Sequence, residues 1–144
     1  MKIILGIIVL LLSFSGILFV YQGHTIDPVV DLSEKALTLT VYKGGRPGKE
    51  VPVASDSVIV ARINSLLLKK RGKWKRSFVT FAPVIIIRGE KISINCQRDR
   101  IIINFENSAG QTVQVVTSLA TEEYSQIENA AGNLKSDGRL DGSN

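Results

Sequence analysis

Residues 3–20 form eighteen consecutive uncharged and predominantly apolar positions, whereas from Leu37 onward apolar and polar residues alternate in short runs. As a helix rising about 1.5 Å per residue, the first run covers roughly 27 Å, close to the hydrocarbon thickness of a bilayer. No face of such a helix is polar enough to lie on a small water-soluble domain. The pattern predicts a transmembrane signal-anchor over 1–22, followed by a spacer over 23–35 that contains Pro28 and little to bury. A cleaved signal peptide is the competing reading, because Lys2 supplies a positive start and Ser13-Phe14-Ser15 imitates a small-x-small site. Against cleavage, Ile17, Leu18, Phe19 and Val20 continue the apolar run past that site. A buried soluble helix is the third reading.

Flanking charge sets the expected orientation. Lys2 precedes the segment, and Lys35 is the one fixed positive residue over 21–35. Basic residues favour the cytoplasmic side, so the domain is expected outside the cell (inner) membrane with the N-terminus inside. Cleavage would instead give a secreted or periplasmic protein. Lys2 and Tyr21 are the expected membrane-interface residues, with lipid contacting residues 3–20.

In the remaining chain the apolar period predicts element type. Leu37, Leu39 and Val41 alternate with polar residues as a half-buried strand does. Residues 43–50 read as a glycine-rich loop, and 51–53 as at most a short edge segment. Ser55 is the expected cap of a helix with Asp56 in its first turn. Ile59, Ile63, Leu66 and Leu67 form its apolar stripe, and Gly72 is placed for a left-handed exit. The period then returns to two. One strand is expected over 76–82 and 84–88, interrupted by Pro83, and three more over 91–96, 100–106 and 111–119, with Gly89-Glu90 as a two-residue hairpin loop of type II′. A last helix is expected from a Thr121 cap to a Gly132 stop, with Tyr124, Ile127 and Ala131 on one face, leaving 133–144 as a disordered tail.

These elements define an α+β domain over 36–132: an antiparallel sheet of about five strands, in the order β-α-β-β-β-β-α, with two helices. Alternation sets Ile85, Ile87 and Ile102 away from the face holding Ile86 and Ile103, so both faces of the central strands are apolar. A half-barrel or β-roll capped by a helix is the alternative arrangement, and a partner on one face is another way to cover it. No internal repeat is present.

Charge changes this picture more than composition does. The net charge of +5 conceals a basic middle, +11 over 35–100, between acidic ends of −3 over 21–34 and −4 over 101–144. Six of the eight residues at 69–76 are basic (Lys69, Lys70, Arg71, Lys73, Lys75 and Arg76), and Trp74 stands among them. This cluster is the candidate anionic-surface site, with Trp74 either stacking on a ligand or folded into the core.

Catalytic chemistry is poorly provided for. His24 is the single histidine and belongs to the spacer, so no base serves a Ser-His-Asp or Cys-His arrangement within the domain. Cys96 is the single cysteine, which excludes an internal disulfide and reads as a small buried filler. Gly44 and Gly48 stand too close for a phosphate-binding loop, and Glu50 occupies the place of its Ser or Thr. Glu122-Glu123 suits a helix first turn. An enzyme would need a deep pocket with convergent polar groups, for example around Arg88, Glu90 and Asp99. No catalytic residue, metal site or cofactor is therefore expected. The expected class is a membrane-anchored binding domain whose partner is an unknown envelope protein, in an assembly, inhibitor or immunity-type role. Anionic lipid or polyanion binding through 69–76 is the alternative, and nucleic acid is disfavoured outside the cell.

Overall fold

A computed structural model describes residues 26–30, 32 and 36–137. The anchor or signal segment, Lys2, Tyr21, His24, most of the spacer and the tail from residue 138 lie outside the described residues. Among the described residues, no helix is long and apolar enough to cross a membrane.

The domain is α+β, as expected, with eight strands and two helices among the described residues. The strands are β1 (Leu37–Lys43), β2 (Arg46–Pro47), β3 (Val51–Val53), β4 (Lys75–Arg76), β5 (Ile85–Arg88), β6 (Ile92–Cys96), β7 (Arg100–Glu106) and β8 (Thr112–Ser118). The helices are α1 (Val58–Lys69), between β3 and β4, and α2 (Thr121–Asp137), after β8. All pairings are antiparallel, in the order β2-β1-β5-β6-β7-β8-β4, with β3 beside β2 on the outer edge of β1. The path runs between two edge strands, β2 and β4, and does not close on itself.

Residues 43–50 are not a free loop. Lys43 pairs with Arg46 across Gly44 and Gly45, whose φ angles of +57° and +76° are those of a type I′ hairpin turn. Pro47 lacks an amide donor and is accommodated because β2 is an edge strand.

Strand register corrects the expected division of faces. Ile87, Ile94, Ile103 and Val115 lie in one row, whereas Ile86, Asn95, Ile102 and Val116 lie in the next. Successive side chains on a strand alternate faces, so Ile85 and Ile87 share a face with Ile103, and Ile86 shares one with Ile102. The first face joins Ile59 and Ile63 of α1 and Ile127 of α2 in the main core.

Among the described residues, the second face is covered by a crossing segment of chain. The strand expected over 76–82 stops at Arg76 because residues 77–84 leave the edge of β8 and cross the outer face to reach β5. Asn95, buried on that face, holds this strap at both sides: its Nδ2 donates to the Ala82 carbonyl at 3.0 Å, and its Oδ1 accepts from Val84 N–H at 3.1 Å. Gln114 Nε2 donates to the Val79 carbonyl at 2.8 Å. Beneath the strap Ile102 is 1% exposed yet stands apart from the main core cluster. Asn95→Leu should therefore destabilise the domain by about 1–2 kcal/mol in denaturant titration, since it leaves the Val84 N–H unsatisfied, whereas Gln97 Nε2 still donates to the Ala82 carbonyl. An unchanged midpoint would remove Asn95 from this role.

Four boundaries also move. The first helix begins after Ser57, whose backbone is extended, and no acidic residue lies in its first turn. Gly89 N–H bonds the Ile92 carbonyl at 2.9 Å, which puts Glu90-Lys91 at the hairpin tip in place of Gly89-Glu90. Tyr124 N–H bonds the Ala120 carbonyl at 3.0 Å, so Ala120 caps α2 and Thr121 is its first residue. The helix runs through Gly132 to Asp137. Gly72, by contrast, adopts the expected left-handed φ of +71°.

Candidate functional site

The basic run at 69–76 does not form one surface. It runs from the end of α1 through a turn into β4, and its residues meet three different environments. Lys69 Nζ donates to Glu123 Oε1 at 2.7 Å, and Lys70 Nζ lies 2.9 Å from Glu123 Oε2. Glu123 Oε2 also accepts the Ala120 N–H at 2.9 Å. A carboxylate at the third helical position reaching back to the cap residue's amide is half of a capping box. Glu123 thus ties the start of α2 to the end of α1. Burial opposes its ionisation, but the hydrogen bonds from Lys69, Ala120 and Lys70 outweigh that cost and pull its pKa down to about 2. The side chain of Lys70 is only 12% exposed, so its ammonium is a structural group, not a free one.

Trp74 is wholly buried in the main core and floors the space beneath the 26–30 arm. Its ring presents nothing to a base or a headgroup, and the core-packing alternative is the one that forms. Arg71, Lys73 and Lys75 are exposed and carry no ion pair among the described residues. Arg76 stacks over Phe78 with its guanidinium carbon 5.2 Å from the ring centroid.

Strand register brings further cations to the neighbourhood of Lys73 and Lys75. Val41, Ile85, Cys96, Ile101 and Thr117 form one row across the sheet. Beyond it lie the Lys43–Arg46 hairpin, the turn containing Arg98 and Asp99, and the end of β8. Because Lys75 pairs with Val116, Lys73 falls beyond the same row. A shallow cleft of about 400 Å³ there is lined by Lys73, Lys75, Asp99, Arg100 and the hydroxyl residues Thr117 and Ser118. Asp99 and Arg100 are bonded to each other, which holds the Asp99 carboxyl below and the Arg100 guanidinium above its ordinary pKa. Lys43, Arg46, Arg98 and Arg100 were not singled out from the sequence. The signal was available, since alternate turns of a meander fall at the same end of the sheet.

The groups considered for catalysis do not converge. Arg88 and Glu90 line a cleft of about 270 Å³ at the β5–β6 turn, whereas Asp99 lies in the β6–β7 turn at the opposite end of the strands. Cys96 is fully buried, and desolvation pushes its thiol up to about 12. Among the described residues no three His, Cys, Asp or Glu side chains are grouped as a metal site would require.

The outer face carries the other feature with an outward aspect. Phe78 and Val79, adjacent on the strap, are 76% and 62% exposed. Arg76 holds the ring of one and Gln114 the carbonyl of the other. A large cleft of about 510 Å³ separates the arm from α1 and is lined by Val29, Leu68 and Arg71 among others.

No family model matches the chain, and neither a curated protein nor a solved structure resembles it at a significant level.

Proposed function

We propose that the chain is a single-pass, membrane-anchored protein whose extracytoplasmic domain performs no chemistry and recognises another envelope protein. The apolar run at 3–20 supports the anchor. The observation that carries protein recognition is the Phe78–Val79 pair. Two large apolar side chains are held outward on a segment whose backbone is fastened to the sheet at Val79 and at Ala82. Aromatic anchors presented with little freedom to lose are what dominate protein interfaces. The roles that fit are those of an assembly factor, an inhibitor or an immunity-type protein.

The test places a photo-crosslinking side chain at Phe78 and, as a control, at Ser108, in the full chain in its native membranes. A discrete adduct is expected from position 78 and not from 108, and Val79→Ser should abolish it. Because both strap residues are exposed, Val79→Ser should shift stability by no more than about 0.5 kcal/mol. Identical adducts from both positions, or none, would reject this reading.

A further inference from the structure

Charge and tethering meet at one end of the domain. Lys43, Arg46, Lys73 and Arg98 lie beyond the same row of the sheet, where Arg100 is matched by Asp99, and Arg71 follows the end of α1 beside them. At the other end Arg88 and Lys91 are matched by Glu90 and Glu106, with Lys91 Nζ 3.5 Å from Glu106 Oε1. The arm is fixed to the basic end, because Gly72 N–H donates to Asp27 Oδ1 at 2.7 Å. Beside that contact Val29 is 92% and Leu68 63% exposed, an apolar pair bordered by Arg71.

Only residues 21–25 separate the apolar run from Ile26. Six Cα steps reach at most about 20 Å when fully extended. An anchor in the bilayer therefore brings the arm, and the Gly72 turn bonded to it, within that distance of the lipid surface. From this we infer that the basic end is a docking surface for the anionic headgroup layer of the membrane that holds the anchor, with Val29 and Leu68 entering the interface. The inference rests on the anchor proposed above but not on a protein partner. It also redraws the 69–76 cluster: Lys69 and Lys70 bind Glu123 and Trp74 is core, while Arg71 and Lys73 are joined by Lys43 and Arg98 from two other turns at the same end. Each cation brought to an anionic surface favours the contact by about fivefold.

The experiment uses the full chain reconstituted into vesicles of phosphatidylcholine alone or with anionic phosphatidylglycerol, each containing a nitroxide-labelled lipid. A fluorophore is attached through Leu68→Cys or, at the far turn, Ser108→Cys. Cys96 can remain, being buried with its thiol protonated. Quenching at position 68 should be strong with phosphatidylglycerol, weak without it and reduced by salt, and quenching at 108 should stay weak throughout. Lys43→Gln, Arg71→Gln, Lys73→Gln and Arg98→Gln together should lower the signal at 68 to its phosphatidylcholine level. Equal quenching at 68 in both lipids, or equal quenching at 68 and 108, overturns the docking surface. Release of the chain by alkaline carbonate overturns the anchor instead, and the orientation with it.

Discussion

Trp74→Ala should cost about 3–5 kcal/mol of unfolding free energy, the range for truncating a large buried aromatic side chain. Trp74 is 0% exposed and the bulkiest of the fully buried residues, packed in the cluster that joins α1 to the sheet. A loss of this size is a large share of what a domain of this length possesses, so the variant is expected to be largely unfolded at physiological temperature. Trp74→Phe separates packing from surface chemistry. The indole Nε1 has no hydrogen-bonding partner among the described residues, so the phenylalanine loses volume without breaking a bond to them. Its cost should be about 1–2 kcal/mol, that of a partly filled cavity. Denaturant midpoints for the two variants in detergent decide the matter. If Trp74→Ala unfolded at the wild-type midpoint, the ring would not be part of the core. If either variant lost vesicle contact while keeping its stability, the ring would be a ligand contact after all.

The same residue shows what the amino-acid pattern discloses and what it conceals. A tryptophan within a basic run is equally consistent with a headgroup contact and with core packing, because the pattern records neighbours in sequence and not in space. Where spacing alone fixes burial, it was legible. The α1 stripe of Ile59, Ile63 and Leu66 is buried, Leu37 and Leu39 face inward, and the four-strand meander from Ile85 to Ser118 forms in order. Residues 77–84 misled for a physical reason. Phe78, Val79, Thr80 and Phe81 have strand propensities, yet the chain must travel from one edge of the sheet to β5 near the other. It does so as a strap fastened by side chains of Asn95 and Gln114. Gly132 also failed to end its helix. Glycine costs about 1 kcal/mol within a helix, and burial of Ala130 and Ala131 with partial burial of Leu134 offsets that preference. The site was the least legible part. Arg71 and Lys73 stand in the basic run, but Lys43 and Arg98 join them only through register, and Glu123 meets Lys69 across 54 positions.

Glu123 supplies the second large effect, and its sign with pH follows from its folded-state pKa. That value, about 2, lies below the ordinary 4.5 because hydrogen bonds from Lys69, Ala120 and Lys70 overcome the cost of burial. A carboxyl whose pKa falls on folding stabilises the native state fully above its unfolded pKa. The contribution is lost as pH falls from about 4.5 through about 2, where the folded-state group finally protonates. Its size is roughly 3 kcal/mol by linkage, an order of magnitude appropriate to a side chain only 10% exposed. Glu123→Gln keeps an oxygen for the Ala120 amide but removes the charge that faces Lys70, and should lower stability at pH 7 by about 2–3 kcal/mol. Glu123→Ala also removes the cap and should cost about 3–5 kcal/mol. Lys69→Ala should have a small effect, since that side chain is 66% exposed. Lys70→Met combined with Glu123→Leu should recover part of the loss, because well-packed apolar residues can replace a buried pair. The measurement is the denaturant midpoint between pH 7 and pH 2. Wild type should lose stability steeply below pH 4.5, and Glu123→Gln should lose markedly less over the same interval. Parallel curves for the two would mean that the junction of α1 and α2 does not depend on this charge.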